Sequence, residues 1–440
     1  MDMRKFTRWF LFLALFAGFG TGSLFCGGKG DSKTESLPEG TPIGAAGLST
    51  DIVAELTLTK KEVIYVKQLQ LEVERRSKMQ EIPPEVSPLD LRRMVLDAMV
   101  SERLVLQAAE RAGITSPPAE LEQRIQMVRA SAGRPVTDQE FAEGIEKQYN
   151  MNYTAFQTYL HEDLVRQKYI EQYIVQQAEK TKAGDSISDR EIDIEIQGVK
   201  DELAAQAGRV PTDAEFNDFI KRQGMDLISL RGQIRRQLMV QKYLITAAGG
   251  NPTEEEILAV YNRYKTEFTR PDTISFDYIR IPFGSNASAV LAARTRADEL
   301  ARKIGSSVSA FNEESAAAAA ANNSGSARFI LLSTEDPRIQ QVFGVNFIDM
   351  AKPLTEGKVS GVIEGRQGFF IIKVTAKFPP VNLELKDTYR LGAPATVRDV
   401  INSQLMQRAL TEGAALVTNT LAEDLRKEGS VTVHENLLAW

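Results

Sequence analysis

Cysteine and histidine are almost missing from this sequence: Cys26 stands alone, and His161 and His434 are the only two histidines. A single cysteine closes no internal disulfide, so stability has to come from packing. Two histidines on different elements, with no cysteine or paired carboxylates spaced as ligands, exclude a readable metal centre or cofactor site and are expected at surfaces or interfaces. An excess of positive charge is absent too. With a net charge of −6 and no long basic cluster, the chain has no electrostatic reason to hold a phosphate backbone, which argues against nucleic acid as a partner. The acidic runs Glu254 to Glu256 and Asp189 to Glu195 suggest carboxylate catalysis only superficially, because helix starts favour such charges through the helix dipole. Gly27-Gly-Lys-Gly30 lacks the length and the Ser or Thr of a phosphate loop.

Long apolar runs are confined to the beginning. Arg4, Lys5 and Arg8 precede an uncharged apolar run from Trp9 to Phe19, which predicts an export signal over residues 1–26 and falls short of the ~20 residues that span a bilayer. Cys26 follows in Gly22-Ser23-Leu24-Phe25-Cys26, ahead of a Gly, Lys, Ser and Glu-rich stretch that makes 27–50 a flexible tether. This arrangement resembles a bacterial lipoprotein signal, with Phe25 and Ser23 where the usual pattern has a small residue and Leu. Lipidation of Cys26 is the expectation, and a plain cleaved signal the alternative.

What the chain does have is ordinary folding material, 43% hydrophobic and 25% charged residues in 440, enough for two or three cores. Ile52, Ala54, Leu56 and Leu58 alternate as a half-buried strand does, and a helical pattern is expected from Glu62. Pro83, Pro84 and Pro88 interrupt it before an amphipathic helix over Leu89 to Ala112, closed by Gly113. The strongest internal signal is a repeat. Ala132-Gly-Arg-Pro-Val-Thr137-Asp-Gln-Glu-Phe141 returns as Ala207-Gly-Arg-Val-Pro-Thr212-Asp-Ala-Glu-Phe216, and Leu164-Val-Arg-Gln-Lys-Tyr169 returns as Leu238-Met-Val-Gln-Lys-Tyr243. Thr137 with Glu140, Ser188 with Glu191, Thr212 with Glu215 and Thr253 with Glu256 each fit a capping box, so four helix starts are placed.

After Arg270-Pro271 the composition changes. Ile274 to Ile281 predicts a strand, Ala287 to Ile304 a helix and Gln367 to Val374 a further strand, an α+β pattern. The alanine run Ala316 to Ala321 and Asn322 to Ser326 between them are taken as a helix end and a loop. Pro379-Pro380 reads as a linker, Val397 to Lys427 as helix or helical hairpin, and Val431 to Val433 as a short strand. Such a tail is too small for its own core, so it is expected to dock on the helical region, with 52–58 and 431–433 paired in one small sheet.

Several stretches now resemble one family. Met99-Val-Ser-Glu-Arg-Leu-Val-Leu-Gln-Ala-Ala109 with Gly113-Ile114 is similar to the first chaperone helix of the SurA/PrsA group of periplasmic foldases. Glu255-Glu-Ile257 with Tyr261, Tyr264, Phe268 and Pro271 resembles the entry to that group's parvulin (PpiC-like rotamase) module. Leu354-Thr-Glu-Gly357-Lys-Val-Ser360-Gly-Val-Ile-Glu364 and Gly368-Phe-Phe-Ile-Ile-Lys-Val374 follow the module's closing helix, turn and strand, and Glu423 to Lys427 with Val431 and Val433 its C-terminal return.

The resemblance implies a mainly α chain with an α+β module. A discontinuous helical chaperone domain with an internal repeat is expected over 51–250, completed by a segment returning over 376–440, around an inserted parvulin-like domain over 251–375. It implies a periplasmic chaperone working without ATP or cofactor on unfolded or nascent exported proteins, outer-membrane proteins among them. The alternatives are an active prolyl isomerase or an interaction lipoprotein with one partner. The parvulin pattern has a histidine on its first strand and another on its last, where this chain has Tyr278 and Phe370, and the family's Gly-Gly-Asp-Leu-Gly has no counterpart nearer than Ser324-Gly-Ser-Ala-Arg328. Phe343 and Phe347, four apart, fall where the family lines its proline pocket, or are simply core. Met127, Tyr149, Met151, Tyr153, Phe156, Met225 and Met239 are the client-binding candidates, each with core packing as the alternative.

Overall fold

The computed structural model describes residues 51–79 and 86–440, without the side chains of 79 and 205–207. The expected export signal and tether, and Cys26 with them, lie outside the described residues. In chain order the elements begin with β1 (Ile52–Thr57), β2 (Lys61–Tyr65), α1 (Val66–Met79), α2 (Pro88–Arg111), α3 (Pro118–Ala130), α4 (Asp138–Tyr149) and α5 (Tyr153–Lys180). They continue with α6 (Asp189–Ala207), α7 (Asp213–Arg222), α8 (Leu227–Ala247), α9 (Glu254–Arg263), β3 (Thr269–Arg270), β4 (Thr273–Pro282), α10 (Ala287–Ile304), α11 (Val308–Ala319) and β5 (Ser324–Leu331). The last are α12 (Asn346–Ala351), β6 (Ile363–Glu364), β7 (Gly368–Phe378), β8 (Val381–Asn382), α13 (Val397–Glu428) and β9 (Ser430–Val433). The chain is mainly α, and its larger sheet lies in the C-terminal part. No helix among the described residues is long and apolar enough to cross a membrane.

Two compact units emerge. One holds the described residues up to Asn251 together with Arg408–Trp440, and the other Pro252–Gln407. In the first, β1 pairs on one edge with β2 and on the other with β9, placing Ala54 against Val433 and Leu56 against Val431. The start and the end of the described chain therefore share one sheet, and Val53, Leu56, Val100, Leu104, Leu421 and Leu425 share the core beneath it. The helical pattern expected from Glu62 gives way to a strand over Lys61–Tyr65, because pairing with β1 overrides the helix propensity of Lys and Glu. α2 begins at the Ser87 cap and ends as Gly113 takes φ +70°, a value glycine adopts without strain.

The repeat folds as two copies of one unit, α3–α4–α5 and α6–α7–α8. Phe141, Ile145 and Phe156 fill the first interior, and Phe216, Ile220 and Leu230 the second. Surface contacts repeat as well. Arg129 pairs with Asp138 at 2.7 Å and lies over the Phe141 ring at 4.8 Å, whereas Lys200 pairs with Asp213 at 2.6 Å and lies over Phe216 at 5.2 Å. Lys168 with Glu120 is matched by Lys242 with Glu191, and Arg134 with Glu140 by Arg209 with Glu215. All four capping boxes form.

Two of those caps make the second copy acid-sensitive. A hydrogen bond from Lys242, then those from Ser188, hold the Glu191 carboxyl at about 2 against an ordinary 4.5. Arg209 and then Thr212 do the same for Glu215, also to about 2. A carboxyl depressed in the folded state contributes fully above its unfolded value, and that contribution is lost as pH falls from 4.5 towards 2. Far-UV circular dichroism should show helix loss across this window, and Glu191→Gln with Glu215→Gln should shrink the acid-dependent part. An unchanged acid profile in the double variant would remove these caps as its source.

In the second unit the sheet order is β5-β4-β7-β6, antiparallel throughout. Alternation along β4 and β7 gives two buried faces. Ile279, Ile281, Phe369 and Ile371 meet α10 and α11, while Phe276, Phe370 and Ile372 meet α12 and the π-turn Ile339–Phe343 before it. Ser324 to Ser326, expected in a loop, instead begin the edge strand β5. This unit also runs past the expected limit at 375. Leu383, Val397 and Ile401 pack on Ile257, Tyr261 and Phe268, and the Tyr261 hydroxyl donates to the Leu383 carbonyl at 3.1 Å.

Candidate functional site

On the sheet face covered by α12, the register puts Tyr278 opposite Ile372 and Phe370 opposite Arg280, so the two histidine-equivalent positions are diagonal neighbours. Their rings stand 5.9 Å apart, edge to face. Phe343 completes the group, 5.3 Å from Phe370 and 6.2 Å from Tyr278, and Phe276 joins it at 5.2 Å from Phe343 and 5.1 Å from Phe347. Five aromatic rings thus fill the place where the resemblance puts a polar isomerase site and its proline pocket. Phe343, Phe347 and Phe370 are buried and only Tyr278 reaches the surface in part.

Phe343 and Phe347 do not share one helix face as their spacing suggests. Phe343 ends the π-turn, Gly344 takes φ +79°, and Phe347 sits on α12, with the rings meeting at 5.0 Å across the break. They are core side chains. Two glycines that sequence reasoning passed over make the filling possible. A Cβ at Gly325, on the neighbouring strand, would lie 2.8 Å from the Tyr278 hydroxyl, and one at Gly365 would lie 2.5 Å from the Phe370 ring. In the sequence Gly325 reads as a loop residue within the stretch nearest the family's Gly-Gly-Asp-Leu-Gly, and nothing beside Gly365 signals a ring above it.

The carboxylate nearest these rings in sequence belongs to the other face. Asp277 accepts from Ser326 Oγ at 2.6 Å and from Lys373 Nζ at 3.1 Å. Partial burial works to raise its pKa, but those two hydrogen bonds and the charges of Lys373 and Arg328 outweigh it and hold the carboxyl below the usual Asp range. A carboxylate so tied is a fixed anion rather than a proton carrier at neutral pH.

In the helical unit the client-binding candidates divide by burial. Tyr149, Met151 and Phe156 lie in the core of the first copy, with Tyr149 and Phe156 rings 5.0 Å apart, and Met239 lies in the core of the second against Gly184. Tyr153 and Met225 are half-buried, and Met127 is 49% exposed. Burial places Tyr149, Met151, Phe156 and Met239 inside the three-helix units, where aromatic and Met side chains on the inner stripe close each one. Exposed apolar surface also comes from side chains that were not candidates: Met94 is 61%, Ile194 59% and Ile228 83% exposed. Ile192 and Ile196 take the core, and Ile194 between them points roughly 200° away, a signal available in the sequence.

The chain matches the SurA-like N-terminal domain over residues 3–170 and the PPIC-type PPIASE domain over residues 252–388. The second repeat copy falls between the two. A search of curated proteins gives no match. Among solved structures, the chain is similar to one described with the SurA-like chaperones of Campylobacter jejuni, at 14% identity over 88% of this chain and 99% of that one, with a TM-score of 0.27. It is similar to PrsA from Bacillus subtilis, at 17% identity over 63% and 88% of the two chains and a TM-score of 0.19. Foldase protein PrsA from Streptococcus pneumoniae is a third, at 19% identity over 70% and 95% and a TM-score of 0.22. Carrying a SurA-like domain at its start and a PPIC-type domain after it, the chain belongs to the SurA/PrsA-type foldases.

Proposed function

We propose that this protein is an exported chaperone, tethered to a membrane through Cys26, that binds unfolded or nascent exported proteins, outer-membrane proteins among them, without ATP, in the periplasm, and whose parvulin-type unit does not usefully catalyse prolyl isomerisation. The observation that carries the reading is the ring cluster of Tyr278, Phe370, Phe343, Phe347 and Phe276. Rotating a prolyl amide crosses a barrier of ~18 to 20 kcal/mol, and lowering it requires groups that favour the twisted amide over the planar one. Rings closed on one another offer no opening, and the Tyr278 hydroxyl is the single polar side-chain group among them where the preference needs several. Client binding needs only apolar surface left over by the core, and exposed aliphatics such as Ile194 and Ile228 supply some. Known SurA-like chaperones give the kind of client. A lipoprotein holding one specific partner is the rival reading.

The test uses the full mature chain with several unrelated unfolded proteins. Suppressed aggregation of most of them, with affinities of roughly micromolar order, and a proline-peptide isomerisation rate near the uncatalysed one are expected. One tight partner among many non-binders would favour the rival, and a robust isomerase rate would reverse the catalytic reading. In cells, Cys26→Ala should release the protein from the membrane fraction, and equal membrane retention would remove the anchor.

A further inference from the structure

We propose that Tyr278 is a gate, a side chain that closes an apolar slot floored by Phe343 and Phe370 and whose displacement lets a prolyl ring in. The proposal rests on the reading of this unit as a parvulin-type site filled by its own rings. Its basis is the unequal hold on the two substituted positions. Phe370 is 1% exposed, under Gly365 on one side and against Phe343 on another. Tyr278 is half-buried rather than buried, and its hydroxyl takes part in no hydrogen bond among the described residues. Its tip rests on Gly325, where no side chain pins it, on an edge strand. Its ring neighbours, Phe276, Phe343 and Phe370, are 6.5, 6.2 and 5.9 Å away, the far part of the range over which rings attract. Phe370 is therefore fixed filling, and Tyr278 the one ring able to swing to solvent about its own side-chain torsions.

A site open in only a fraction of molecules binds more weakly by that fraction, so removing the gate raises apparent affinity without adding a contact. Two substitutions open it differently. Tyr278→Ala deletes the ring, while Gly325→Ala puts a methyl where the hydroxyl rests and pushes the ring outward at its flexible end. The full chain and both variants are titrated with a fluorescent Ala-Ala-Pro-Phe peptide and with Ala-Ala-Ala-Phe. For a slot open in about a tenth of molecules, Tyr278→Ala should bind the proline peptide about tenfold more tightly, Gly325→Ala should gain in the same direction, and neither should gain for the alanine peptide.

No gain from either variant, with circular dichroism showing a folded chain, overturns the gate. An equal gain for both peptides overturns it as well, since that reports exposed apolar surface rather than a proline slot. Should Tyr278→Ala fail to fold, Gly325→Ala decides alone. Isomerase activity in the unaltered chain would instead strike the underlying reading of a filled, inactive site, so the two failures are distinguishable.

Discussion

Gly365→Ala should destabilise the parvulin-type unit by about 2 to 3 kcal/mol, near the upper end of the cost of overpacking a core. The new methyl would lie 2.5 Å from Phe370 Cε2 and 2.9 Å from both Phe370 Cδ2 and the Val342 carbonyl oxygen. Neither obstacle yields readily. The Phe370 ring is 1% exposed and packs on Phe343, and the Val342 carbonyl accepts from the Arg366 amide at 3.0 Å, which ties the π-turn to the loop before β7. Urea unfolding followed in the near-ultraviolet, where the clustered rings report, should show the loss. Phe370→Leu in the same chain should return part of it, because a smaller side chain leaves the methyl room, and that coupling separates ring clash from backbone effects. Stability within about 0.5 kcal/mol of the unaltered chain would mean that the ring does not sit against Gly365 in solution.

Motif resemblance singles out Tyr278 and Phe370, but their meeting edge to face depends on the register of β4 against β7, and a register is a property of the sheet. Phe343 and Phe347 show the opposite failure. Spacing by four is a helical signal, yet Gly344 interrupts the helix, and both rings reach one cluster from separate turns. Strands were hardest to read where composition speaks for something else. β2 is Lys-Glu-Val-Ile-Tyr and forms through its pairing with β1, and β5 opens on Ser-Gly-Ser, poor strand formers kept in place by β4 on one side. Helix starts were easiest, because Thr137, Ser188, Thr212 and Thr253 carry their reason locally in a glutamate three residues on. Client-binding candidates chosen by residue type went largely to the core, since type says how well a side chain packs and not which way its helix turns it.

Gln107→Leu should cost the helical unit about 1 to 3 kcal/mol, the cost expected when partly buried amide donors lose a fully buried acceptor. Gln107 is the one fully buried polar side chain on the inner stripe of α2, and nothing in the run from Met99 to Ala109 marks it out. Its Oε1 accepts from the backbone amides of Leu58, Thr59 and Lys60 at 3.0, 3.0 and 3.3 Å, and its Nε2 donates to Glu62 Oε1 at 3.0 Å. Those amides form the turn between β1 and β2, where the backbone has no ladder partner of its own. One side chain from α2 therefore holds the hairpin in the shape that lets β1 accept β9 on its other edge. Leucine has nearly the same volume, so little cavity opens and the loss measures hydrogen bonding rather than packing. Urea unfolding should give the magnitude, and hydrogen exchange should locate it, with the amides of Ala54, Leu56 and Val431 losing protection ahead of those in α5. If stability and protection stayed as in the unaltered chain, water would be serving the turn as well as Gln107 does, and the hairpin would owe its place to the strand pairs alone.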